Sequence, residues 1–86
     1  MGSYSLRIVR SAEKEIAGLP GPVRRLVVLR IQALANDPRP HGSQKIAGGD
    51  QYRIRQGDHR IVYVIEDAVV TVTIVRVAHR SAVYRR

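Results

Sequence analysis

Three stretches in the second half of the chain alternate with a period of two or run β-branched, and only tight turns separate them. In the first, Tyr52 and Ile54 alternate with Arg53 and Arg55. Gly57-Asp58 then turns into the run Ile61 to Ile65, and Glu66-Asp67 turns into Val69 to Val77, VVTVTIVRV. Val, Ile, Thr and Tyr are the residues that fit a pleated, half-buried surface, so each stretch reads as a strand. Parallel neighbours need a crossover of a dozen or more residues, so connections this short leave antiparallel pairing. The end of the chain is therefore a three-stranded meander, and the remainder must cover one of its faces.

The first half supplies that cover. Tyr4, Leu6 and Ile8 alternate with Ser5, Arg7 and Val9 and predict a short opening strand. Ser11 is placed to cap a helix from Ala12 to Ile16, with Glu13 and Glu15 in the turn where acids suit the helix dipole. Gly18-Leu19-Pro20-Gly21-Pro22 stops it, and Pro22 suits the first turn of a second helix. Val23, Leu26, Val27, Arg30, Ile31 and Leu34 then recur at helical spacing until Asn36-Asp37-Pro38. So short a joint predicts an antiparallel helical hairpin. Residues 37–50, DPRPHGSQKIAGGD, read as loop. The order β-α-α-β-β-β predicts an α+β fold: the hairpin packed on one face of a small, mainly antiparallel sheet, with the first strand at an edge. Its 86 residues make one domain, 1–86, with a thin core.

Charge narrows the function. Fifteen Lys and Arg face seven acids, a net +8, and no acid follows Asp67 while Arg76, Arg80, Arg85 and Arg86 do. That balance points to a polyanionic partner, and an arginine fork suits phosphate. No cysteine is present, which excludes disulfides, thiolate metal sites and a Cys nucleophile. Seven scattered acids and three histidines distant in sequence predict no metal site and no cofactor. The opening MGSYSLRIVR lacks a signal-peptide apolar segment and no run reaches the roughly 18 residues of a membrane span, so a cytoplasmic protein away from membranes is expected.

Strand parity then groups the basic residues. If Tyr52 and Ile54 meet the helices, Arg53 and Arg55 face away from them. Arg60 lies across the Gly57-Asp58 turn and can join that patch, and His79, Arg80 and Tyr84 follow the last strand. One shallow basic cleft collecting Arg53, Arg55, Arg60, His79, Arg80 and Tyr84 is the expectation. His41 falls in the Pro/Gly loop, and His59 shares parity with Ile61 and Tyr63. Arg24, Arg25 and Arg30 are expected on the wet side of the second helix, within reach of a polyanionic partner.

Lys45-Ile46-Ala47-Gly48, Tyr52-Arg53-Ile54-Arg55, Gly57-Asp58-His59-Arg60-Ile61-Val62-Tyr63 and Val77-Ala78-His79-Arg80-Ser81-Ala82-Val83-Tyr84, with Ser11-Ala12, Ile16, Leu19 and Pro20 before them, resemble in order and spacing the RelE/ParE toxin superfamily of bacterial toxin–antitoxin systems. The resemblance covers nearly the whole chain and implies the same β-α-α-β-β-β order. RelE-like toxins cut messenger RNA in the ribosomal decoding site. The implied reaction is metal-independent attack of a ribose 2′-hydroxyl on the adjacent phosphate, leaving a 2′,3′-cyclic phosphate and a 5′-hydroxyl. By the same resemblance, Arg60, Arg80 and Tyr84 take catalytic positions and Arg53 and Arg55, with Lys45, bind RNA phosphate; His79 joins the catalytic set as the one side chain of the cluster whose ordinary pKa lies near neutrality. The basic pair is lysine in RelE and Arg53 and Arg55 here. Arginine does not give up its proton at neutral pH, so the pair can neutralise phosphate but not act as a base, which leaves His79. Tyr84 is placed to stack on a base or orient the 2′-hydroxyl. Implied partners are the ribosome, messenger RNA and an acidic antitoxin that folds on binding, in a hetero-oligomer that contacts operator DNA through the antitoxin. A ParE-like toxin with the same fold, acting on DNA gyrase without RNA chemistry, is the alternative.

Overall fold

A computed structural model describes residues 3–46 and 48–83. Strand β1 (Ser5–Ile8) leads into helices α1 (Arg10–Ala17) and α2 (Gly21–Leu34). Strands β2 (Gln44–Lys45), β3 (Gln51–Gln56), β4 (His59–Glu66) and β5 (Thr71–His79) follow, and a single helical turn, α3 (Arg80–Val83), closes the described chain. The sheet order is β1-β5-β4-β3-β2. β1 runs parallel to β5 at one edge, and every other pairing is antiparallel. The expected α+β architecture is the observed one. Among the described residues no helix is long and apolar enough to cross a membrane.

The core lies between the helices and one sheet face. Ala12 and Ile16 from α1 and Val27, Ile31 and Leu34 from α2 meet Ile54, Ile61, Tyr63, Ile65, Val72, Ile74 and Val77. The period of two survives along β3 and β4. On β5 it is interrupted once: Val62 pairs with Arg76 and Tyr63 with Ile74, so Val75 is an extra, bulged residue. The bulge keeps Ile74 and Val77 both on the core side although they are three residues apart.

Three local expectations give way to tertiary context. Ser11 does not cap α1; the cap position is Val9, without a side-chain bond. Val9 is already held by β5, its N–H donating to the Ile74 carbonyl at 3.1 Å, so the end of the parallel ladder sets where the helix begins. The 37–50 loop contains the two-residue β2, an edge strand too short to show a pattern. The Glu66-Asp67 turn is longer than expected: a 3₁₀ turn over Asp67–Val69 precedes Val70 in the left-handed region at φ 50°, and β5 starts at Thr71. A β-branched residue there is strained. The Val70 N–H donates to Asp67 at 3.1 Å and its carbonyl accepts from Ser5 at 2.8 Å, which together hold it.

Because β1 pairs with β5 only as far as Ile74, the rest of that edge would be open. Glu15 closes it from α1: one carboxylate oxygen accepts the Val77 N–H at 2.7 Å and the other lies 3.7 Å from Arg76 Nε. The acid that suited a helix dipole in the sequence is, in the fold, an edge cap.

Candidate functional site

The sheet face turned away from the helices carries the arginines. Arg53 pairs with Val62, Arg55 with Arg60, and Arg60 in turn with Ala78, all alternating with the core residues Ile54, Ile61 and Val77. Arg53, Arg55 and Arg60 share that face, as their strand parity implies. Arg80 N–H donates to the Asp58 carbonyl at 2.7 Å, extending the β4–β5 ladder by one bonded pair. By alternation, even residues of β4 then bond to β5 and odd ones to β3. Arg55 and Arg60 are therefore a non-hydrogen-bonded pair, the kind whose Cα atoms approach to about 4.5 Å and whose side chains lie closest. Like charges placed directly opposite destabilise a sheet; an anion between them reverses the sign. One expectation needs correcting: Arg60 is not on an exposed surface but only 4% exposed, while Arg55 is open to solvent. Arg60 sits on the central strand, between Arg55 and Ala78, where α3 packs against β4 and β5.

At the β3 edge this face runs into a groove of about 360 Å³ lined by Arg30, Gly42, Gln44, Arg53, Ile54 and Arg55. β2 pairs with β3 only at Tyr52 and Arg53. The Ile46 N–H bond to the Gln51 carbonyl, 2.8 Å, shows that odd β3 residues direct their main chain toward β2. Arg55 is the next of these, and Gly42, at φ 95°, lines the same groove in place of a strand. Arg53 donates to the Gln44 side-chain oxygen. Arg30 does not stand on the wet side of α2 as expected; it is half-buried in this groove, and its Nε has no hydrogen-bond partner. Its place in the row with Val23, Val27 and Leu34 is the signal that marks it.

The single expected cleft is divided by the sheet. His79 pairs with His59, and both rings lie on the helix side, edge to face with centroids 5.4 Å apart. His79 Nδ1 is engaged by the Ser81 hydroxyl at 3.0 Å and the Ser81 N–H at 3.3 Å, so the ring caps the turn that begins α3. Lys45 is paired with Tyr52, exposed, and shares that residue's face rather than the face of Arg53. Arg80 is exposed at the start of α3. Tyr84, with Arg85 and Arg86, lies outside the described residues.

A second cluster, absent from the sequence reading, ties the groove's loop to the far end of the sheet. Arg39 forms a bidentate pair with Asp67 at 2.8 and 3.3 Å, bonds the Tyr52 hydroxyl at 3.1 Å and lies over that ring at 5.3 Å. Tyr4 donates to Asp67 at 2.6 Å. The bonds from Arg39 and then Tyr4 hold the Asp67 carboxyl below its usual range, and the bond to Asp67 pushes the Tyr4 hydroxyl up. A carboxylate with a depressed folded pKa contributes stability above its unfolded pKa and loses it as pH falls through the folded one. Asp67→Asn should therefore flatten the acid limb of stability below about pH 4, read from melting temperature against pH. An unchanged acid limb would remove this cluster from the acid dependence.

Comparison with known proteins bears on what such a face is for. The family model described as "ParE toxin of type II toxin-antitoxin system, parDE" matches residues 6–84. Toxin RelG of Mycobacterium tuberculosis is 32% identical over 87 residues, covering 96% of this chain and 98% of RelG. Among solved structures, the RelBE2 toxin–antitoxin complex of M. tuberculosis contains a chain that superposes with a TM-score of 0.81 at 27% identity, covering 91% of this chain and 99% of that one. A free Escherichia coli RelE variant superposes with a TM-score of 0.79 at 28% identity, covering 93% and 86%. The sheet, its two covering helices and a family match spanning residues 6–84 thus agree on one family, and the chain is a toxin of the RelE/ParE superfamily of type II toxin–antitoxin systems.

Proposed function

We propose that this toxin is a ribosome-dependent endoribonuclease that cleaves messenger RNA by attack of a 2′-hydroxyl on the adjacent phosphate. The observation that carries the reading is the closely opposed Arg55–Arg60 pair on the sheet face away from the helices, exposed at Arg55 and buried at Arg60, beside Arg53. In the reaction the 2′-oxygen bonds to phosphorus, the bond to the 5′-oxygen breaks, and the proton leaving the 2′-hydroxyl is balanced by one gained at the 5′-oxygen. Charge accumulates on the non-bridging oxygens meanwhile, and fixed guanidinium groups are suited to neutralise it without reorganisation. Arg53 and Arg55 are placed to hold and stabilise the phosphate, with the buried Arg60 charge behind Arg55, and none of the three can carry the proton. His79 stands behind the sheet from them and caps α3, so this reading gives it no part in proton transfer. Tyr84 remains the candidate for moving the proton, while Arg80 is suited only to neutralise charge on the leaving oxygen. Primer extension on messenger RNA from cells expressing the toxin tests the reading: discrete new 5′ ends within codons are expected, and growth arrest without them would overturn it.

The groove extends the phosphate path past the β3 edge. Arg30→Ala should weaken binding of a single-stranded RNA more than it slows the bound complex, and lower the salt slope of binding by about one. An unchanged slope would take Arg30 off the path. The solved relatives include toxins bound to antitoxins, and a net +8 domain fits an acidic antitoxin whose charges cover the arginine face. The family model is described as that of a ParE toxin, and a ParE-like toxin acting on DNA gyrase is the second reading. Loss of gyrase supercoiling activity with purified toxin, with message left intact, would select it.

A further inference from the structure

The three histidines are dispersed along the chain, but the fold brings two of them into direct opposition. His59 and His79 occupy a non-hydrogen-bonded position of the β4–β5 ladder, because the flanking pair is the one bonded through Arg80 N–H and the Asp58 carbonyl. Side chains approach most closely at such positions. We propose that these two imidazoles form a site for one divalent ion of the Zn²⁺, Ni²⁺ or Cu²⁺ class, clamping the start of β4 to the end of β5. Metal–nitrogen bonds of about 2.0–2.1 Å at a tetrahedral angle place two imidazole centroids roughly 5 Å apart. The rings here lie 5.4 Å apart, edge to face, close to that separation.

The surroundings suit an ion. The histidines line a groove of about 280 Å³ with Val23 and Leu26 on one side and Gln56, Gly57 and Asp58 on the other. Imidazole selects transition ions over Mg²⁺ or Ca²⁺. Among the described residues no third His, Cys, Asp or Glu completes a cluster, so water fills the remaining positions. Ser81 supplies an outer contact: its hydroxyl, 3.0 Å from His79 Nδ1, accepts from Nδ1–H and leaves Nε2 to the metal, while the longer contact from the Ser81 N–H is given up. The ion would fix the strand end from which α3 and Arg80 depart. The site rests on strand register and is independent of any RNase activity.

Titrating chelator-treated full-length toxin with Zn²⁺ and with Ni²⁺ alone, in the absence of RNA, tests it. One ion should bind per chain, and the melting temperature should rise on the order of 10 °C at a hundredfold excess over the dissociation constant. His59→Asn should weaken binding by more than about tenfold with an unchanged metal-free melting temperature, and His41→Asn should not weaken it. In the parent protein, Cu²⁺ should broaden amide resonances of residues 56–60 and 78–81 first. Equal affinity in His59→Asn, loss in His41→Asn, or broadening centred elsewhere would each overturn the site.

Discussion

Arg55→Ala should lower the rate of message cleavage by about 10²–10³-fold and relieve growth arrest at unchanged toxin abundance. Arg55 is exposed on an edge-proximal strand, so its truncation opens no cavity, and the fold should melt where the parent does. What it removes is one of two cations facing each other across β3 and β4. Activity should collapse while the melting temperature holds, because the exposed Arg55 acts on the phosphate and not in the core. Arg55→Lys keeps the charge and should retain most of the rate. Arg60→Ala differs because that side chain is buried at 4% exposure: it should lose activity and stability together. Single-turnover rates on ribosome-bound message, with melting curves beside them, separate the two behaviours. Full toxicity of Arg55→Ala at equal abundance would show that the pair is not the working site.

Which parts of this were legible in the sequence follows from the range of the forces involved. Faces are a local property: a period of two decides that Arg53 and Arg55 lie together and opposite Ile54 before any partner strand is known. The hairpin turn at Gly57-Asp58 decides that Arg60 joins them. Cap positions were not legible, because the helix start at Val9 is set by its bond to Ile74, more than sixty residues away. The place of His79 was missed for a related reason. Its parity along β5 cannot be counted from Val69 without knowing of the bulge at Val75, and the pattern Val77-Ala78-His79 reads equally well on either face. Once the ladder is seen, the pairing with His59 fixes the ring to the helix side. Arg39 gave no signal at all: a charged residue in a Pro-rich loop finds Asp67 and Tyr52 only through the tertiary fold.

The largest stability effects should come from Tyr63, at the centre of the sheet. The side chain is fully buried among the core residues, stacked on Tyr52 with centroids 6.0 Å apart, and its hydroxyl donates to the Pro38 carbonyl at 2.8 Å. Burial pushes the hydroxyl's pKa up to about 12, so it stays a donor across the working range. Tyr63→Phe keeps the ring and removes only that donor, leaving the Pro38 carbonyl unsatisfied, which should cost about 1–3 kcal/mol. Tyr63→Ala removes the ring as well and should cost about 3–5 kcal/mol, by analogy with other aromatic truncations. A domain of this size has roughly 0.05–0.15 kcal/mol of stability per residue, so the alanine variant should sit near the unfolding threshold at 37 °C. The phenylalanine variant should still fold, melting on the order of 10 °C lower. Pro38 begins the loop that carries Gly42 and Gln44 to the arginine groove, with Arg39 as its second tether. Releasing the first tether should therefore weaken RNA binding in Tyr63→Phe even at temperatures where the domain is intact. Melting curves and RNA titrations on the same variant decide the matter. A Tyr63→Phe protein with the parent's melting temperature and affinity would mean that Arg39 alone holds the loop, and that the buried hydroxyl contributes nothing to the site.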